Sequence, residues 1–343
     1  MSPDTRTGGL DVAADADGST ASPILRVRDL HTRFWTGRGT VHAVRGVSFD
    51  VRPGEIVGVV GESGSGKSAT AMSVPGLLPP GQGAVVGGSI EFEGVDLREC
   101  SEEERRRIRG RRIGVVFQDA STALNPVMTV GGHLREALRS HQRLTTSQVR
   151  ERSLAMLDQV GIAEPERVAR SYPHQLSGGM KQRVMIAVAV IAEPTLVIAD
   201  EPTTALDVTI QAQILTLLTR LSRQRRIATL LITHDMGVIA QYTDRTVVMY
   251  AGQVIEAAPT STLFRRPVHP YTRALLDSVP PLTERRPRLT AIAGAPPDLS
   301  TPPTGCAFAT RCRFVQDICR QEVPLAAVSP GHAAACVVRP EFR

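Results

Sequence analysis

Short runs of consecutive apolar residues recur along this chain, and the stretches between them repeat apolar positions with helical periodicity. Ile56–Val60, Ile113–Phe117, Leu196–Ala199, Thr229–Thr233 and Thr246–Tyr250 are too short for core helices, so they read as buried strands. Their alternation with helical segments predicts an α/β core on a mostly parallel sheet. From Gln118 to Leu176 the strand-like runs stop. Val130–Ser140 and Ser147–Val160 look helical there, and Gly161 stands where a helix would terminate, so a helical subdomain is expected to interrupt the sheet domain. After about Pro259 the sequence becomes proline-rich and leads to a cysteine-bearing terminal module; no internal repeat of the core is visible.

Composition changes this picture little. The chain has 343 residues, 42% of them hydrophobic and 22% charged, enough for one large core plus an appendage. Met1 to Pro23 lack the basic start and apolar core of a secretory signal and read as a disordered tail. The longest apolar run, Val184–Ala192, ends at Glu193 and Pro194, short of the roughly 20 residues that span a bilayer, so a membrane role has to go through partner chains. The formal net charge is +6, and its densest patch is Ser101–Arg112 (SEEERRRIRGRR). Because Glu102/Arg106 and Glu103/Arg107 stand at i,i+4 spacing, a solvated helix face is expected rather than a nucleic-acid surface.

Candidate chemistry begins directly after the first buried strand. Gly61–Ser68 reads GESGSGKS, the spacing of a phosphate-binding loop in the strand-to-helix context that gives it meaning. Glycines Gly61, Gly64 and Gly66 let backbone N–H groups turn toward phosphate oxygens, so Ser63, Ser65 and Ala69 join them as candidate nucleotide contacts. Lys67, one of only two lysines in an arginine-rich chain, supplies a compact charge for the β- and γ-phosphates, and the Ser68 hydroxyl suits Mg²⁺. At the end of another strand, Asp200 can hold the metal's hydration shell while Glu201 orients and deprotonates the attacking water.

Further motifs follow in order: LSGGMKQR from Leu176, ALD from Ala205, and Thr233-His234-Asp235. With these the sequence resembles the ABC-transporter ATPases. The resemblance implies a P-loop nucleotide-binding domain over residues 24–259, with an antiparallel β-subdomain and a helical subdomain at about 119–176. It implies that Gln118 is the Q-loop residue, also near the Mg²⁺, that Ser177, Gly178 and Gly179 form the signature loop, that Asp207 is the D-loop residue and that His234 is the switch histidine. Phe34, beside Trp35, matches the aromatic position that stacks on adenine. Ser177 can cap a helix and so offers a second anion site; in the family it closes over ATP held by a partner domain, head to tail. Asp200–Leu215 (DEPTTALDVTIQAQIL) and His269–Leu276 (HPYTRALL) look like the oligopeptide/dipeptide importer ATPases. That branch implies a sister or identical ATPase, two transmembrane permease subunits, an extracytoplasmic substrate-binding protein, a peripheral place on the cytoplasmic face of the membrane, and a characteristic C-terminal region over 260–343. A GTPase is excluded, since neither Lys67 nor Lys181 lies in an N-K-x-D motif.

Cys306, Cys312, Cys319 and Cys336 cluster near one end as C-x5-C-x6-C-x16-C, while Cys100 stands apart. Without a secretion signal, four thiolates on a metal are expected over a disulfide framework. The zinc C-x2-C knuckle is absent and the spacings are wide, which favours a [4Fe-4S] cluster, with Zn²⁺ and unligated cysteines as alternatives. Related importer ATPases resemble this chain in that cysteine-rich end.

Overall fold

The computed structural model describes residues 22–204, 206–278 and 292–342. The tail expected over residues 1–23 falls almost wholly outside these, as does much of the proline-rich stretch after Val279. In chain order the strands are β1 (Leu25–Thr36), β2 (Gly39–Val51), β3 (Ile56–Val60), β4 (Gly83–Phe92), β5 (Val95–Asp96), β6 (Ile113–Val116), β7 (Leu196–Asp200), β8 (Ala228–Thr233), β9 (Arg245–Tyr250), β10 (Gln253–Pro259), β11 (Ala326–Ser329) and β12 (His332–Ala334).

They form two sheets. A four-stranded antiparallel sheet runs β2-β1-β4-β5, and an eight-stranded sheet runs β11-β12-β10-β9-β3-β8-β7-β6. In the larger sheet β9, β3, β8, β7 and β6 are parallel neighbours. Their side chains are buried on both faces, as expected of strands covered by helices on each side, and this is why they appear in the sequence as unbroken apolar runs. The five expected strands agree with the observed ones to within a residue at each end.

Between β6 and β7 the chain is helical, with helices Val130–Arg139, Thr146–Gln159 and Pro165–Arg170 packed on one another. Thr145 caps the second in a reciprocal capping box with Gln148, and Gly161 closes it at φ +76°. The arginine-rich segment forms a seven-residue helix, Glu102–Ile108, with no buried residue. Glu103 pairs with Arg107 at 2.5 Å as expected, but Glu102 does not pair with Arg106. It takes Arg105 (3.4 Å) and Arg109 (2.5 Å) instead, because the chain turns back after Ile108 and delivers Arg109 to the helix start.

The C-terminal region has no separate core. Strand β12 pairs antiparallel with β10 and extends the main sheet, while Phe308 packs its ring on Tyr250 and Tyr271 at centroid distances of 5.4 Å each. Beneath this junction the fully buried Glu256 accepts the N–H groups of Val268 (2.7 Å) and His269 (2.9 Å) and pairs with His332 Nε2 at 2.8 Å, so one carboxylate ties three segments together. No helix among the described residues is long and apolar enough to cross a membrane.

Candidate active site

Because β3, β8, β7 and β6 are parallel, their carboxyl ends share one edge of the sheet, where ligands of open α/β sheets bind. The loop after β3 is Gly61–Gly66. It passes so close to its neighbours that a Cβ on Gly61 would stand 2.1 Å from the Met249 carbonyl oxygen, and one on Gly66, at φ +98°, 2.4 Å from that of Ala43. Only glycine fits there. Inside the turn lies Lys67, 5% exposed, whose Nζ donates to the carbonyls of Gly61 (2.7 Å) and Glu62 (2.9 Å). Burial lowers its pKa, opposed by the charges of Glu201, Asp200 and Glu62. The Ser65 hydroxyl is buried without a hydrogen-bond partner, an orphaned polar group of the kind a ligand completes. Gly64, at φ +77°, opens onto free space.

Ser68 Oγ donates to Asp200 Oδ1 at 2.9 Å, so the hydroxyl and carboxylate expected to share a cation are already in contact. Burial raises the Asp200 pKa and the Ser68 bond opposes that rise. A buried acid that is costly to ionise beside a hydroxyl fits a divalent cation, which would favour the carboxylate form. Glu201 follows at φ +45°, its N–H donating to the Ile232 carbonyl. Its carboxylate accepts from Thr204 Oγ1 (2.9 Å) and Gln118 Nε2 (3.3 Å) and meets His234 Nδ1 at 3.2 Å. Gln118, Glu201 and His234, which come from the ends of three strands, therefore converge on one carboxylate.

Ser177 lies elsewhere. It caps the helix Gly178–Val190 by accepting the Met180 N–H at 3.4 Å. Gly179 is pressed against the helix Val208–Arg225, since a Cβ there would stand 2.9 Å from Ile210 Cγ2. Asp207 directly precedes that helix, and Val208 is 83% exposed. Among the described residues, no hydrogen bond or ion pair joins Ser177, Gly178, Gly179 or Asp207 to the phosphate loop. Phe34 is half-buried with its ring on Gly83 of β4, whereas Trp35 is 46% exposed.

Three contacts had no signal as site features in the sequence. Thr204 holds Glu201, Tyr271 Oη accepts the Glu62 N–H at 2.8 Å, and Arg311 pairs with the Glu62 carboxylate. Tyr271 stands out in the sequence only as part of HPYTRALL.

Cys306, Cys312, Cys319 and Cys336 line one small cavity together with apolar side chains such as Phe314, Val337 and Val338. Burial pushes the Cys306 thiol up to about 11 and raises that of Cys312, which favours the protonated form at these two positions. Among the described residues, no group of three or more His, Cys, Asp or Glu side chains is arranged to hold a metal ion. The expected iron-sulfur or zinc site is thus represented by convergent donors and not by a formed ligand set.

Residues 44–204 match the ABC transporter family, and residues 255–319 match the oligopeptide/dipeptide transporter C-terminal region. A probable peptide ABC transporter ATP-binding protein of Sinorhizobium fredii is 50% identical over 318 residues, covering 92% of this chain and 95% of its own length. The dipeptide transport ATP-binding protein DppD of Bacillus subtilis is 50% identical over 314 residues, covering 91% and 94%. Among solved structures, a dimeric ATP-binding cassette in a post-hydrolysis state with ADP and Pi is similar at a TM-score of 0.62 and 28% identity, over 69% of this chain and 98% of that one. The chain belongs to the ABC transporter family of ATP-hydrolysing cassettes, and within it to the ATP-binding proteins of the oligopeptide/dipeptide branch.

Proposed function

We propose that this chain is the ATPase motor of an importer for oligopeptides or dipeptides, peripheral on the cytoplasmic face of the membrane. It works there beside a second ATPase subunit, sister or identical, with two transmembrane permease subunits and an extracytoplasmic substrate-binding protein. One observation above all supports the reading: Gln118, Thr204 and His234 meet the Glu201 carboxylate on the same sheet edge that carries the phosphate loop.

In this reading Lys67 exchanges its carbonyl partners for the β- and γ-phosphates, and the backbone N–H groups from Ser63 to Ala69 receive the remaining oxygens. Ser65 Oγ, orphaned and buried, gains a phosphate acceptor. Ser68 and Asp200 would hold Mg²⁺ with Gln118 beside them, and that ion would supply charge neutralisation for the phosphates. Glu201 accepts a proton from the attacking water, and His234 keeps that carboxylate aimed while hydrogen-bonding the γ-phosphate. Phe34 stacks on adenine, with Trp35 as the alternative ring. Ser177–Gly179 and Asp207, which make no hydrogen bond or ion pair with their own chain's phosphate loop among the described residues, close over ATP bound by the partner.

Substituting Glu201→Gln tests this reading. Turnover is expected to fall at least about 100-fold while ATP binding is retained, and ATP should drive the variant into dimers. Undiminished turnover, or an ATP complex in which one subunit alone encloses the triphosphate, would refute it.

A second assignment concerns the cysteine cavity. The four cysteines line one cavity, and their wide spacing along the chain favours a [4Fe-4S] cluster held by Cys306, Cys312, Cys319 and Cys336, with Zn²⁺ and unligated cysteines as the alternatives. The cluster would staple the terminal segments. Anaerobically purified protein should show visible absorbance and bound iron; colourless, zinc-loaded or metal-free protein refutes it.

A further inference from the structure

Glu62, the second residue of the phosphate loop, has all of its polar groups engaged. Its N–H donates to Tyr271 Oη (2.8 Å), and its carbonyl accepts from Lys67 Nζ (2.9 Å) and from the Ser65 N–H (3.2 Å). Its carboxylate receives a bidentate pair from Arg311, Nη1 to Oε2 at 2.6 Å and Nη2 to Oε1 at 3.0 Å. These partners come from distant sequence, Arg311 lying 249 residues away in the cysteine-bearing region.

Arg311 is built for the role. Its side chain is 3% exposed, and it also donates to Tyr250 Oη (3.2 Å) and to the carbonyls of Ala293 (2.8 Å) and Ile292 (3.1 Å). The guanidinium lies 5.8 Å from the ring centres of both Tyr250 and Phe308. It projects from a short turn, Ala309–Arg311, that runs directly into Cys312. A planar fork held by so many contacts fixes the carboxylate in place; a flexible ammonium would not.

The electrostatics give this contact a consequence. Glu62 stands within the phosphate loop with its carbonyl 2.9 Å from Lys67 Nζ, so its carboxylate places a negative charge at a loop whose ligand is a triphosphate. Left unpaired, that carboxylate would repel the ligand, and in this partly buried setting the repulsion is poorly screened.

We propose that Arg311 is a positioning residue of the ATP site: it neutralises and fixes Glu62, so that the C-terminal region sets how tightly the phosphate loop holds ATP. The inference rests on the ATP-site reading above and goes beyond it by giving the terminal region a direct hold on nucleotide affinity. A docking staple without this role would affect stability alone.

The test measures ATP affinity of the full-length chain by calorimetry, in the Glu201→Gln background to prevent turnover, with melting followed in parallel. Arg311→Ala should weaken ATP binding about tenfold. Adding Glu62→Gln should restore affinity to within about twofold without restoring the melting temperature, because it removes the repulsion and not the lost packing. Unchanged affinity in Arg311→Ala, or weakened affinity that Glu62→Gln leaves uncorrected, overturns the proposal. Should Arg311→Ala fail to fold, Glu62→Gln alone decides: with Arg311 left uncompensated, ATP should bind about threefold tighter, and unchanged or weaker binding overturns it. Lys67→Ala separates the two claims. If that variant holds ATP like its parent, the ATP-site reading has failed rather than the Arg311 contact.

Discussion

Acidification should weaken this protein through one histidine at the junction of sheet and C-terminal region. His269 is 1% exposed, and its Nδ1 accepts the Tyr271 N–H at 3.0 Å, capping the helix Pro270–Asp277. Protonation would destroy that acceptor in an apolar setting. Burial accordingly lowers its pKa from 6.5 to about 4, opposed only by Glu256. The folded form thus refuses a proton that the unfolded chain binds, so the penalty is absent above pH 6.5, grows as pH falls, and levels off below about 4. A pKa gap of about 2.5 sets a ceiling of roughly 3 kcal/mol, of which about 2.5 kcal/mol accrues between pH 7.5 and 4.5. Asn at position 269 retains a capping acceptor and does not titrate. Urea unfolding of the wild type and His269→Asn at those two pH values isolates the histidine from every other group. With a slope of about 3 kcal/mol per molar, the wild-type midpoint should fall roughly 0.8 M further than that of the variant. Parallel declines would show that His269 titrates normally and that its burial carries no linkage.

Three other substitutions probe separate parts of the site. Gly66→Ala forces a Cβ to within 2.4 Å of the Ala43 carbonyl at φ +98°, so ATP binding should be lost and folding weakened by about 1–3 kcal/mol, and a normal nucleotide titration would contradict the geometry. Tyr271→Phe removes the acceptor of the Glu62 N–H in a fully buried setting; a loss of about 1–3 kcal/mol is expected, and melting unchanged from the parent would deny the contact its weight. Asp200→Asn should raise the Mg²⁺ concentration needed for turnover at least about tenfold while metal-free ATP binding persists, whereas an unaltered Mg²⁺ curve would remove Asp200 from the metal's ligands.

The parts of this protein legible in its sequence are those whose physics is local. A strand buried on both faces must be an apolar run, and a phosphate loop must place glycine where backbone crowds backbone, so Ile56–Val60 followed by GESGSGKS announces both at once. Ser177 announces a helix start for the same reason, since a cap acts on N–H groups two or three residues away. The family resemblance assigned Gln118 and His234 to the site of Glu201, and the three meet because each follows a strand of one parallel sheet. What tertiary structure decided is everything carried by contacts between distant segments. Arg106 and Arg109 offer the same charge, and only the turn after Ile108 selected Arg109 for Glu102. Nothing near Arg311 marks it as the partner of Glu62, and nothing near His332 points to Glu256. An arginine or histidine has the same local preferences whether it faces water or a buried carboxylate, so its partner is settled only when the C-terminal region docks and strand β12 joins β10 in the main sheet.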